Sequence, residues 1–88
     1  MHVIINTAAL NAEECPISND AAAKVRMGFN PSTLPRVDRI KALAAALISE
    51  CEAVQAEGGD GREASVAITN VQQASMWAVA AATSHLSK

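Results

Sequence analysis

The sequence predicts an all-α protein: an antiparallel helical hairpin with a short N-terminal helix or arm, assembled as a homo-oligomer. Three observations lead there. Apolar residues recur at three- and four-residue steps along two long stretches, which is the periodicity of amphipathic helix. Gly58-Gly59-Asp60-Gly61 separates the two stretches, and a connection that short makes them antiparallel neighbours. The second stretch carries apolar residues on two sides, more than one partner helix can cover.

Residues 1 to 25 read as an N-terminal arm or short helix, and residues 26 to 88 as the hairpin domain. His2-Val3-Ile4-Ile5 is a short β-prone run, either an edge strand or an extended arm on a neighbouring subunit. Pro16-Ile17-Ser18-Asn19-Asp20 is turn-like, and Ser18 or Asn19 can cap a short helix through Ala21-Ala22-Ala23-Lys24. Residues 26 to 33 read as a loop, because Gly28 and Pro31 oppose helix and Asn30 precedes a proline. Ser32 or Thr33 is then placed to cap the first long helix, with Pro35 tolerated in its first turn.

That helix is expected from about Leu34 to Ala56. Leu34, Val37, Ile40, Leu43 or Ala44, Leu47, Ile48, Cys51 and Val54 form one apolar stripe, with Arg36, Asp38, Arg39 and Lys41 beside its first turns. The second helix is expected from about Arg62 to Leu86, with Asp60 and Glu63 at capping-box spacing. At about 100° per residue, Ala64, Ile68, Val71, Ser75, Ala78, Ala82 and Leu86 share the side that packs on the first helix. Val66, Thr69, Gln73, Met76, Trp77 and Ala80 lie roughly opposite, with Arg62 on the same side. A two-helix hairpin leaves that second face in water. The N-terminal segment can cover part of it, and copies of the same chain are the other candidate, with Met76 and Trp77 at the interface, since Trp is enriched in interface hot spots.

Composition narrows the function classes. Of 88 residues nineteen are alanine and only Phe29 and Trp77 are aromatic, so close helix packing is favoured over a bulky core. The net charge is −2 and no run of Lys or Arg forms the basic stripe of a nucleic-acid-binding domain. A nucleic-acid polymer is therefore not the expected partner, whereas a small anion needs only a few local cations. No apolar run has membrane-spanning length and no secretory signal is recognisable, which points to the cytoplasm. Cys15 and Cys51 read as free thiols, with Cys51 packing on the helix's apolar face.

No convergent set of acid, base, nucleophile or metal ligands appears, so neither an enzyme, a metal nor a cofactor is expected. Two constellations remain. In the loop Arg26-Met27-Gly28-Phe29-Asn30-Pro31, Phe29 either stacks on a nucleobase or anchors the loop to the hairpin. On the second helix, Arg62, Ser65 and Thr69 either hold a phosphate, Arg in a forked geometry, or form a solvated first turn. If the second face is buried between subunits, Arg62 and Thr69 need partners. An anion held between protomers would supply them.

The stretch from Arg62 to Ala78 resembles the helical hairpin of phage cyclic-nucleotide sponges, the second anti-CBASS protein and the related first anti-Thoeris protein. Arg62, Glu63, Ser65, Ala67, Thr69, Ala74, Met76, Trp77 and Ala78 match that pattern. Phe29-Asn30-Pro31, followed by an Ile-, Ala- and Leu-rich helix, is similar to the family's aromatic-x-Pro entry. The resemblance implies a hexamer with pockets between protomers that sequesters cyclic immune signals without cleaving them, inside the infected bacterium. It implies a cyclic-dinucleotide pocket using Arg26, Phe29, Asn30, Pro31 and Lys41, and a cyclic-trinucleotide pocket using Arg62, Ser65 and Thr69. The sequence departs from the family in having Phe29 where Tyr is common and Gln72-Gln73 where an acidic pair stands. Anti-Thoeris relatives carry additional N-terminal structure, which keeps cyclic ADP-ribose-type signals among the implied ligands.

Overall fold

A computed structural model describes residues 1–87. The chain runs β1 (His2–Ile5), β2 (Glu13–Pro16), α1 (Asn19–Lys24), α2 (Pro35–Ala56) and α3 (Gly61–Thr83), closing on a 3-10 turn over Ser84–Ser87. The fold is mostly helical and its centre is the expected hairpin of α2 and α3. It is not all-α, because β1 and β2 pair antiparallel with Val3 opposite Cys15 and Ile5 opposite Glu13. His2–Ile5 takes the strand alternative. Its partner was not foreseeable by propensity, since Glu13-Glu14-Cys15-Pro16 holds no β-branched or aromatic residue. Cys15 fits there because its small side chain is buried, while Glu14 and Pro16 face out.

Ser18 caps α1, its hydroxyl accepting from the Ala21 N–H, and donates to Glu52 Oε1 (2.7 Å) on α2. The Ser18 N–H meanwhile donates to Ser49 Oγ (3.0 Å), so the strand-to-helix junction is tied to α2. Ala21 and Val25 join Ala45 and Ile48 in the core, and Ile68 and Val71 of α3 pack against it. The N-terminal segment thus contributes to the same core as the hairpin.

One expected cap differs. Neither Ser32 nor Thr33 caps α2: Leu34 is the N-cap and makes no side-chain cap bond. Pro35 at the first helical position holds Leu34 in extended backbone (φ −71°, ψ 126°), which moves the boundary one residue past Thr33. Asp60 does cap α3, its carboxylate accepting from the Glu63 N–H (2.7 Å). The α2–α3 turn closes through Gly58, at φ 90°, and Gly59, whose N–H donates to Val54 O; a Cβ on Gly59 would sit 2.5 Å from Val54 Cγ1.

The α3 faces fall as expected: Ala64 and Ser75 are buried, whereas Val66, Thr69, Gln73, Met76, Trp77 and Ala80 are exposed. Leu86, assigned to the packed face, is exposed because α-helix gives way to the 3-10 turn after Thr83. On α2 the single stripe splits. Val37, Ala45 and Ile48 are buried, but Leu43, Leu47 and Val54 are exposed about 100–140° round the helix from Ile48. Ala44, not Leu43, takes the core position. Both long helices therefore carry an uncovered apolar face. The radius of gyration is 13.9 Å, against about 12 Å for a compact chain of this length. No helix among the described residues is long and apolar enough to cross a membrane.

Candidate ligand-binding site

The loop after α1 is built by its own backbone. Met27 N–H donates to Ala22 O and Arg26 N–H to Ala23 O, the paired bonds of a Schellman helix end. That motif puts Arg26 at the left-handed position (φ 54°), where glycine is the usual occupant. Lys41, on the second turn of α2, then draws the loop down. Its ammonium donates to Arg26 O at 2.9 Å and to Phe29 O, and the side chain is 6% exposed. In the sequence it stands with Arg36, Asp38 and Arg39 as a charge beside the apolar stripe. It is buried because two main-chain carbonyls compensate its desolvation.

Asn30 is equally committed. Its amide Nδ2 donates to Leu34 O (3.0 Å) and Asp38 Oδ1 (3.1 Å), while its Oδ1 accepts from Ser32 Oγ (2.6 Å). The loop is therefore tied at both Phe29 and Asn30. Phe29 itself is 60% exposed, with Lys41 Nζ 5.6 Å from its ring centre. A ring held open over a cation, with its backbone fixed, is a surface on which a flat ligand can stack.

Phe29, Asn30, Pro31 and Lys41 line one hollow of about 390 Å³, closed on the far side by Val79, Thr83 and Leu86. The structure thus brings four of the five loop-site residues together. Arg26 lies apart, in an adjoining hollow shared with Lys41. The contributions of Val79 and Thr83 on α3 and of Leu86 in the 3-10 turn were not foreseen. These positions recur at helical spacing, a signal that reads as core packing until the loop is placed against them.

Arg62, Ser65 and Thr69 also share a concavity, of about 300 Å³, with Val66 and Asn70. Ser65 Oγ accepts from Gln55 Nε2 (3.0 Å), which also donates to Gly61 O (3.2 Å). Arg62 and Thr69 are exposed. All five lining residues come from α3, so one chain supplies a single wall. This concavity is at the start of α3, and the Phe29 hollow is at its end. Met76 and Trp77 are exposed between them, Trp77 at 76%.

Residues 19–83 match the family model described as Acb2/Tad1, hairpin domain. No curated protein and no solved structure matches the chain.

Proposed function

The chain belongs to the Acb2/Tad1 hairpin-domain family, and from that premise we propose that it is a phage anti-defence sponge, which binds cyclic oligonucleotide immune signals and withholds them without cleaving them. The observation that carries this reading is the sorting of residues into two hollows at opposite ends of the hairpin. Phe29, Asn30, Pro31 and Lys41 gather at one end. Arg62, Ser65 and Thr69 gather at the other.

The first hollow takes a cyclic dinucleotide, with a base against Phe29 and charge from Lys41 and neighbouring Arg26. The second takes a cyclic trinucleotide, whose phosphates meet Arg62 while the Ser65 and Thr69 hydroxyls donate to them. A one-walled concavity holds a ligand only when a second wall is supplied. The apolar faces left open on α2 and α3 favour another copy of the chain as that wall, in a closed homo-oligomer such as a hexamer. Met76 and Trp77 are assigned to the seam. The protein would act in the cytoplasm of the infected bacterium.

The test is to titrate the protein with cyclic di- and trinucleotides and cyclic ADP-ribose-type signals, then recover the ligand after heat denaturation. Intact ligand from a tight complex supports a sponge. A cleaved product would make the protein an enzyme, and no binding across the panel would leave a structural hairpin module. Arg62→Ala should weaken trinucleotide binding and spare dinucleotides; equal loss of both would refute the two-site assignment.

A further inference from the structure

α2 carries a second periodicity besides the one that buries its core face. Ile40, Leu43, Leu47, Glu50 and Val54 follow one another at alternating steps of three and four, the spacing of positions that line a coiled-coil seam. The row is open: Leu43 is 61%, Leu47 51% and Val54 48% exposed, Glu50 is exposed and Ile40 half-buried. The chain's own elements meet α2 on other sides. Ala44 and Ile48 lie in the core with Ile68 and Val71 of α3, and Ser49 and Glu52 hold the N-terminal segment.

The charges along the row are sorted by sign. Arg36 and Arg39 stand exposed on the first two turns of α2, and Glu50 and Glu57 stand exposed at its far end. At about 100° per residue, these four and the row itself fall within a sector of about 100° of the helix surface. A face that is apolar in the middle, basic at one end and acidic at the other complements itself when turned end for end. Two copies laid in the same direction would set Arg39 against Arg39 and Glu50 against Glu50. The open face of α3 offers no such match, because Arg62 and Glu63 in its first turn are the only charged residues of Gly61–Thr83.

We propose that α2 pairs antiparallel with α2 of a second copy, across a two-fold axis midway between Leu43 and Leu47. Leu43 of each copy then packs on the partner's Leu47, which makes two central apolar layers. At 1.5 Å per residue, Arg39 comes level with the partner's Glu50 to within about 1.5 Å along the axis. Arg36 lies within about one turn of the partner's Glu57 and lays its stem on the partner's Val54. The contact is isologous, with the same patch on both chains. It is separate from the Met76 and Trp77 seam on α3. It deepens the homo-oligomer reading, and rests on that part of the proposed function alone, by naming the helix, direction and register through which two copies meet.

Sedimentation equilibrium of the full chain tests the pairing, in a Trp77→Ala background so that the α3 seam does not add to the mass. A dimer should remain in that background. Arg39→Glu and Glu50→Arg should each weaken it about tenfold, since each sets two like-charge pairs across the axis. Combined in one chain, the two changes restore opposite charges and should bring the affinity back to within about threefold of the background. Leu47→Ser removes both central layers and should leave a monomer with unchanged helical circular dichroism. A monomer already in the Trp77→Ala background, indifference to all three α2 substitutions, or charge losses that add instead of cancelling would each overturn the pairing. If the parent is an oligomer and Trp77→Ala alone makes it a monomer, the homo-oligomer reading stands through α3 and the α2 pairing falls. If cyclic nucleotides fail to bind while the charge rescue holds, the sponge reading falls and the pairing stands.

Discussion

The Lys41 ammonium lies 5.6 Å from the centre of the Phe29 ring and donates a hydrogen bond to that residue's own carbonyl. One buried cation thereby fixes both the backbone and the face of the aromatic. Lys41→Met should cost about 2 kcal/mol, because two carbonyls lose a charged donor. Urea unfolding measures this, and amide exchange from Met27 to Asn30 should quicken with it. A cost below about 0.5 kcal/mol would mean that the loop holds itself.

Arg26 occupies a left-handed position that suits glycine. Arg26→Gly should therefore stabilise the fold by about 1 kcal/mol, the order of the left-handed penalty for a residue with a Cβ. The same change should weaken cyclic-dinucleotide binding. Thermal melts and titrations check the two halves separately; a melting temperature that falls would contradict the strain account.

Trp77 is 76% exposed in the single chain and makes no contribution to its core. Trp77→Ala should leave helical circular dichroism unchanged while lowering the mass in size-exclusion chromatography with light scattering. An unaltered mass would remove Trp77 from the seam.

Asp20 has its carboxyl held below its ordinary value near 3.8, chiefly by the hydrogen bond from Lys24, then by one involving Glu52 and by the Lys24 charge. A lowered folded-state pKa adds stability above the unfolded value, and that stability is lost as pH falls through the folded value. The melting-temperature advantage of the parent over Asp20→Asn should thus be present at neutral pH and shrink below about pH 4. An advantage that is constant down to pH 2 would show that the charge plays no part.

How far the sequence disclosed this molecule depended on the range of each interaction. Helical periodicity located α2 and α3 and separated the two faces of α3, because those signals are local. The glycine turn and Asp60 cap were legible for the same reason. Strand β2 was not, since Glu13–Pro16 is held by pairing and by burial of Cys15, neither of which is written in propensity. Leu43 and Leu47 looked like core because periodicity marks an apolar face without saying what covers it. In the candidate site, Phe29 and Arg62 stood out by residue type. Val79 and Thr83 did not, because helical spacing does not say which loop will meet them. The burial of Lys41 was not legible, because its partners are carbonyls, which every sequence contains everywhere.

The two ends of the hairpin also differ in how their walls must come together. Only four residues separate α2 from α3. The bond from Ser18 to Ser49 spans 31 positions, and chain-closure entropy grows with the length of the loop closed. The α2–α3 pair can therefore form before the N-terminal segment docks. Pulse-labelled amide exchange should protect Ile48 and Ile68 ahead of Met27 and Phe29; simultaneous protection would argue against this order. During synthesis the Phe29 loop leaves the ribosome first, yet its hollow does not exist until Val79 and Thr83 have followed. The wall around Arg62 needs only a single formed helix, whereas the Phe29 hollow needs the loop before α2 and the end of α3 together.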